Sequence, residues 1–269
     1  MLSSAATSTL EDFVIELNAA SAGAILPLFR ADHGLEDKGR PGDFDPVTAA
    51  DKAAEASIRR LIEQHHPDHG VIGEEYGEDR PEAEFVWVLD PIDGTRAFIA
   101  GLPLWTTLIG LRHQGVPVVG SIGQPYLDEV FIGSPRGSRL LRAGASRPLA
   151  TRKGTPLGEA IIATTDPEAC FNAAERAAWA SLRAAVRLAR LGCDAYAYAM
   201  VAAGTLDLVV EAGLKNWDID AAIPVIAGAG GKVTNWRGEV VGTHGGQVAI
   251  AGDEVLLDAA VEHLSPAAA

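Results

Sequence analysis

The chain has 269 residues, 48% hydrophobic and 22% charged, a balance that fits a buried core and excludes disorder, collagen and coiled coil. At roughly 150 residues per domain, that length fits one large domain or two closely joined halves. With 22 basic and 36 acidic residues the net charge is −14, which repels a nucleic-acid backbone and leaves either a solvated surface or carboxylates converging on cations.

The opening MLSSAATSTLEDF has neither the basic nor the apolar region of a signal peptide. No apolar run approaches the roughly 20 residues of a spanning helix. Apolar positions at helical spacing (Leu10, Phe13, Val14, Leu17) predict an amphipathic helix over 8–30. GRPGDFDP reads as a loop, and a second helix is expected over 46–65, with Ala53, Ala56, Ile58, Leu61 and Ile62 on one side. Val71-Ile72 leads into Gly73-Glu74-Glu75, and EFVWVLD reads as a buried strand delivering Asp90 to its end. LWTTLIGLRH, VPVVGSIGQP and EVFIGS suit a meander. Residues 134–158 hold six Arg/Lys and no Asp/Glu, read as a turn-rich sheet edge.

From there the chain alternates: AIIATT and AAVRLAR as strands around the helix FNAAERAAWASL, then CDAYAYAMVAAG as a helix and LDLVVEA as a strand. DIDAAIPVIAGAGG reads as one helix stopped by glycines, and VAIAG and DEVLLDAAVEHL close the chain as strand and helix. Cys170 and Cys193 cannot form a disulfide framework, and a cytoplasmic location is expected. The pattern is a layered α/β (α+β) protein, expected as one unit, 1–269, with halves of about 1–145 and 146–269.

Three acidic clusters carry the chemistry: Gly73-Glu74-Glu75, Asp90-Pro91-Ile92-Asp93-Gly94-Thr95 and Trp217-Asp218-Ile219-Asp220. In the middle one a strand ends in Asp90, Pro91 is expected to force the chain out of the sheet, and Asp93 follows at a turn. Gly94 permits close approach of a ligand, and Thr95 opens a helix whose free N–H groups suit phosphate. Two carboxylates beside an anion site repel the anion unless Mg2+ bridges them, which points to metal-assisted phosphoryl chemistry. Gly228-Ala229-Gly230-Gly231-Lys232 lacks the spacing of a P-loop, and the seven histidines show no zinc-ligand spacing.

These clusters, in this order from Asp51 to Gly231, resemble the inositol monophosphatase-like family of Mg2+-dependent, lithium-sensitive phosphomonoesterases. The resemblance implies an αβαβα layered sandwich, a homodimer, and two or three Mg2+ per site between the layers. It implies Glu74, Asp90 and the Ile92 carbonyl as ligands of one metal. Asp90, Asp93 and Asp218 would hold a second, and Glu74 and Asp93 would share a third. Asp51 and Thr95 match the pair that activates the attacking water, and the amides of Gly94 and Thr95 match the phosphate site. Without the resemblance Asp51 is a surface helix carboxylate beside Lys52, and Glu75 is expected outside the ligand set.

DGTRAFI, LPLWTTLIGL, CDAYAYA and VVEAGLK are most similar to the histidinol-phosphatase branch of that family. Its substrate carries an ammonium and an imidazole, so Asp194 and Glu211 are expected to join Asp218 in the substrate pocket. Asn216 and Asp220 depart from the family pattern and are expected to alter that pocket. The alternatives are a phosphatase of inositol monophosphate or another small polyol phosphate, and a non-catalytic relative that binds phosphometabolites. No nucleic-acid or membrane partner is expected.

Overall fold

Ser3 starts the first helix: its hydroxyl accepts from Ala6 N at 3.1 Å, and α1 runs Ser4–Ile25 before Pro27 tightens the chain into a 3-10 turn. The computed structural model describes residues 2–32, 34–37 and 46–269. The expected GRPGDFDP loop therefore lies, up to residue 45, outside the described residues. Beside it, β1 (Glu36–Asp37) and β2 (Pro46–Val47) pair antiparallel. The second helix, α2 (Ala49–His65), thus begins three residues later than expected.

Thr48 caps α2. Its hydroxyl accepts from Ala50 N at 3.2 Å, while Asp51 Oδ2 accepts from Thr48 N at 2.8 Å, a reciprocal box. Thr48→Ala is expected to cost about 1 kcal/mol and to lower Tm by about 2–4 °C, read by thermal denaturation in a chelator. An unchanged Tm would show that the cap carries no stability. The buried row of α2 is Ala50, Ala54, Ile58 and Ile62, spaced four apart, whereas Ala53 and Ala56 are exposed. The expected face was rotated because it left out the carboxylates Asp51 and Glu55, which also point inward.

β3 (Gly70–Gly73), β4 (Gly77–Asp79) and β5 (Phe85–Asp93) lead to the short α3 (Thr95–Ile99). The meander follows as β6 (Thr106–His113), β7 (Val116–Gln124), β8 (Glu129–Ser134), β9 (Gly137–Arg142) and β10 (Ala145–Pro148). Together they make an eight-stranded sheet, β10-β9-β8-β7-β6-β5-β3-β4, antiparallel except at β3–β5. The basic stretch is the β9–β10 edge, as expected, and Arg136 and Arg139 both reach the buried carboxylate of Glu11 on α1.

The rest of the chain contributes β11 (Ile161–Thr164), α4 (Pro167–Cys170), α5 (Ala173–Ala185), β12 (Leu188–Leu191), α6 (Tyr196–Ala202) and β13 (Leu208–Leu214). It ends with α7 (Asn216–Ile219), α8 (Ala222–Gly228), β14 (Lys232–Thr234), β15 (Gly246–Ala251) and α9 (Glu254–Leu264). Five strands form the second sheet, β12-β11-β13-β15-β14. The single helix expected over 218–231 is two helices. Pro224 has no N–H to give the Asp220 carbonyl, so the helix restarts at Ala222.

The layers stack α1 and α2, the large sheet, α6 and α8, the small sheet, then α5 and α9, an αβαβα sandwich. Each interface is a core: Leu17, Ile58 and Trp87 on the outside of the large sheet, Phe131, Tyr198 and Ile250 between the sheets, Trp179, Trp236 and Leu257 beneath the small one. α8 lies directly on the large sheet. A Cβ at Gly133 would fall 2.2 Å from Val225 Cα, so glycine there sets the layer spacing. No helix among the described residues is long and apolar enough to cross a membrane.

Candidate active site

β5 does not stop at Asp90 as expected. It continues through Pro91 and Ile92 to Asp93, but its register against β6 shifts between Asp90 and Asp93, because proline cannot donate to the ladder. Thr107 Oγ1 ties down the irregularity by donating to the Pro91 carbonyl at 2.8 Å. Gly94 then adopts φ +82°, and a Cβ there would stand 3.0 Å from Asp194 Cγ, so the turn needs glycine for both conformation and space. On the other side, Trp217 packs against Ile72, Val86 and Val88. That contact docks α7 on the large sheet and brings Asp218 to the end of β5.

Oxygens of Asp90, Asp93 and Asp218 lie within 4.8 Å of one another. Asp90 is buried, and its Oδ1 has no hydrogen-bond partner. Asp93 Oδ2 accepts from Ala195 N at 2.7 Å, and Asp218 Oδ2 accepts from Lys215 N at 2.7 Å. Burial pushes the Asp90 carboxyl well above the usual range, reinforced by Glu74, Asp93 and Asp218. Burial does the same to Asp93, with Asp194 and Asp218 adding to it. Asp218 is pushed up to about 6 by burial, against the Lys215 amide that favours its ionised form. Clustered carboxylates in a desolvated place must be protonated or meet a cation. Hard oxygen donors, one of them an orphaned buried oxygen, suit a hard divalent cation such as Mg2+.

The triad opens into a cavity of about 190 Å³, which Glu74, Ile92, Gly94, Thr95, Asp194 and Glu211 also line. Of the expected metal, catalytic and substrate-binding residues only Asp51 is not in the lining, and Asn216 and Asp220, expected to alter the pocket, do not line it either. Asp51 Oδ2 accepts from Thr48 N and, at 2.6 Å, from Thr48 Oγ1, and burial lifts its carboxyl to about 6. Thr95 Oγ1 donates to the Ile92 carbonyl at 3.1 Å, so the described hydrogen bonds do not join Asp51 to Thr95. Asp194, at φ +45°, faces the cavity and is raised to about 6 by burial, opposed by Arg96. Glu211 is buried, held by Thr165 Oγ1 at 2.9 Å and Thr164 Oγ1 at 3.3 Å, and pushed up to about 8 by burial.

The profile of the inositol monophosphatase family matches residues 7–267. The chain belongs to the inositol monophosphatase family. It is 43% identical to the bifunctional phosphatase IMPL2, chloroplastic, of Arabidopsis thaliana over 82% of its length, which spans 62% of the plant protein. It is 32% identical to a histidinol-phosphatase of Mycobacterium tuberculosis over 83% of this chain and 86% of that one. It is 31% identical to an inositol-1-monophosphatase of Synechocystis over 83% and 77% of the two chains. An inositol monophosphatase from Zymomonas mobilis of known structure superposes with a TM-score of 0.85 at 36% identity, covering 96% of this chain and 98% of that one. The chain is a phosphatase of this family.

Family membership frames what the residues alone did not assign. Thr164 ends β11 of the small sheet and Thr165 follows it, so the pair that holds Glu211 sits at a strand end, where ligands of α/β sheets commonly bind. Tyr198, in the CDAYAYA stretch, also lines the cavity, and nothing in its local sequence marks it as a wall residue. Asp220, expected to alter the pocket, is instead buried in an ion pair with Arg112, whose Nη2 also donates to the Thr243 carbonyl at 3.0 Å. The pair pins the α7–α8 junction to β6 and explains the extra carboxylate. Asn216 spends its Oδ1 on Trp217 N at 3.0 Å.

Proposed function

We propose that this phosphatase hydrolyses L-histidinol phosphate to L-histidinol and phosphate, with two or three Mg2+ per site and residues 1–269 acting as one unit. The observation that carries the substrate reading is Glu211. It is a buried carboxyl on the cavity wall held by the Thr164 and Thr165 hydroxyls and the Thr165 amide, with no basic side chain paired to it among the described residues. An ammonium-bearing substrate gives such a group a charge-assisted partner, and Asp194 adds a second carboxylate facing the same space.

In this reading Asp90, Asp93, Asp218, Glu74 and the Ile92 carbonyl hold the metals. Bound Mg2+ supplies Lewis-acid stabilisation of phosphoryl oxygens and lowers the pKa of water. Asp51, poised near 6, serves as the proton acceptor, with Thr95 orienting the water and the Gly94 and Thr95 amides holding the ester's phosphate. Since Asp90 and Asp93 come from the large-sheet half and Asp218 from the other, neither half holds the site alone. The reading carries a cytoplasmic homodimer with a small phosphorylated metabolite as its partner.

Relatives named inositol-1-monophosphatase, at 31% and 33% identity, stand beside those named histidinol-phosphatase at 32% and 34%, which favours inositol monophosphate as the second reading. Phosphate release from L-histidinol phosphate and inositol 1-phosphate, side by side with Mg2+, separates the two. A preference of about a hundredfold in kcat/KM for histidinol phosphate is expected, about 2.7 kcal/mol. Comparable or reversed rates would move the substrate to the polyol phosphates, and no release from either would overturn both substrate readings.

A further inference from the structure

Glu55 is a fully buried carboxylate on α2 that takes no part in the cavity. Its Oε2 accepts from Glu75 N at 2.8 Å and its Oε1 from Tyr76 N at 3.2 Å. Arg59, one turn along α2, donates to the same carboxylate through Nε at 2.7 Å and grips the Gly77 carbonyl through Nη2. Gly73 closes against this pair: a Cβ there would fall 2.0 Å from Glu55 Oε1. The turn from β3 to β4 is therefore clamped by α2 through Glu75, Tyr76 and Gly77.

Glu74 sits inside that clamp. Its own N–H is fixed on the other side, donating to the Leu89 carbonyl at 3.2 Å, one residue before Asp90. The main chain of Glu74 is thus held between α2 and β5. We infer that Glu55, with Arg59, is a positioning residue that sets the Mg2+ affinity of the site by holding the turn that carries Glu74. This rests on the reading of Glu74 and Asp90 as metal ligands. The same helix face carries Asp51 one turn earlier, so α2 places both the proton acceptor and the Glu74 turn against the end of β5.

Residues that orient metal ligands typically change metal affinity or activity by 10–100-fold when altered. The test is calorimetric titration of Mg2+ into the metal-free full chain, wild type and Glu55→Gln, followed by kcat and KM for L-histidinol phosphate at saturating Mg2+. The half-saturating Mg2+ concentration is expected to rise about 10–100-fold, with kcat at saturation within a few-fold of wild type and KM for the ester little changed. Glu63→Gln, on the exposed side of α2 and paired with Arg80, is expected to leave all three unchanged. A folded Glu55→Gln with wild-type Mg2+ affinity and only a lower Tm would overturn the inference. If Glu55→Gln does not fold, Arg59→Lys keeps the charge and releases Gly77, and an unshifted Mg2+ affinity there overturns it equally. A wild-type chain that takes up no Mg2+ overturns the metal reading itself, a result distinct from either.

Discussion

Asp93→Asn is expected to lower kcat by about 10²–10³-fold or more, about 2.7–4 kcal/mol of transition-state stabilisation, while leaving the fold intact. Asparagine has nearly the same shape, and its amide oxygen can still accept from Ala195 N, the 2.7 Å bond that ties the end of β5 to the start of α6. What it removes is one of three clustered carboxyl groups, and with it the charge that group can offer a bound cation. In wild type, bound Mg2+ should raise Tm because it binds the folded chain alone, and in Asp93→Asn most of that rise should vanish. The metal-free variant should melt at or above the wild-type temperature, since burial and the neighbouring Asp194 and Asp218 already disfavour the Asp93 charge. Thermal melts with and without Mg2+, run beside phosphate-release kinetics, check both parts. Near-normal turnover in a folded Asp93→Asn would take Asp93 out of the metal site.

The fold was legible where one periodicity ran long. The β6–β8 meander and the basic edge at β9–β10 stand where hydrophobic spacing and turn residues put them, whereas the opening helix, expected over 8–30, runs Ser4–Ile25 because Ser3 caps it early and Pro27 tightens its end into a 3-10 turn. It was illegible where a local feature competed with the pattern. Pro91 reads as the end of a strand, yet the ladder absorbs it with a register shift, because Thr107 satisfies its carbonyl from the neighbouring strand. Pro224 splits what reads as one helix, and the split places Asp218 on the short α7, braced by Trp217 and by the Arg112–Asp220 pair.

The site divides along the same line. Asp90, Asp93 and Asp218 were visible as clusters at element ends, and the structure brings them within 4.8 Å of one another. Glu55 was invisible because nothing in its local sequence separates a carboxylate that clamps a distant turn from one facing water. That distinction exists only once α2 lies against β3. Asp220 was visible but misplaced, since its partner Arg112 lies 108 positions away.

Glu211→Gln is expected to act in opposite directions on stability and on catalysis. The wild-type carboxyl is pushed from 4.5 up to about 8 by burial, against the two threonine hydroxyls that favour its ionised form. With the folded pKa above the unfolded one, its contribution to stability is full below about pH 4.5 and is lost as pH rises through about 8. At 1.36 kcal/mol per pKa unit the loss is bounded at roughly 4–5 kcal/mol. Glutamine cannot ionise, so the metal-free variant should match or fall below wild type at pH 5 and exceed it at pH 9, as read by Tm in a chelator. Equal Tm differences at both pH values would show that the carboxyl is not held neutral. Catalysis should move the other way. A cation in the cavity favours the ionised carboxylate, and its loss should weaken kcat/KM for L-histidinol phosphate by about 1.5–3 kcal/mol, the scale of a hydrogen bond to a charged group. Inositol 1-phosphate brings hydroxyls instead, so its loss should stay near 0.5–1.5 kcal/mol. A stabilised variant with unchanged kinetics on both esters would leave Glu211 a buried strand residue and remove the ground for a cationic substrate.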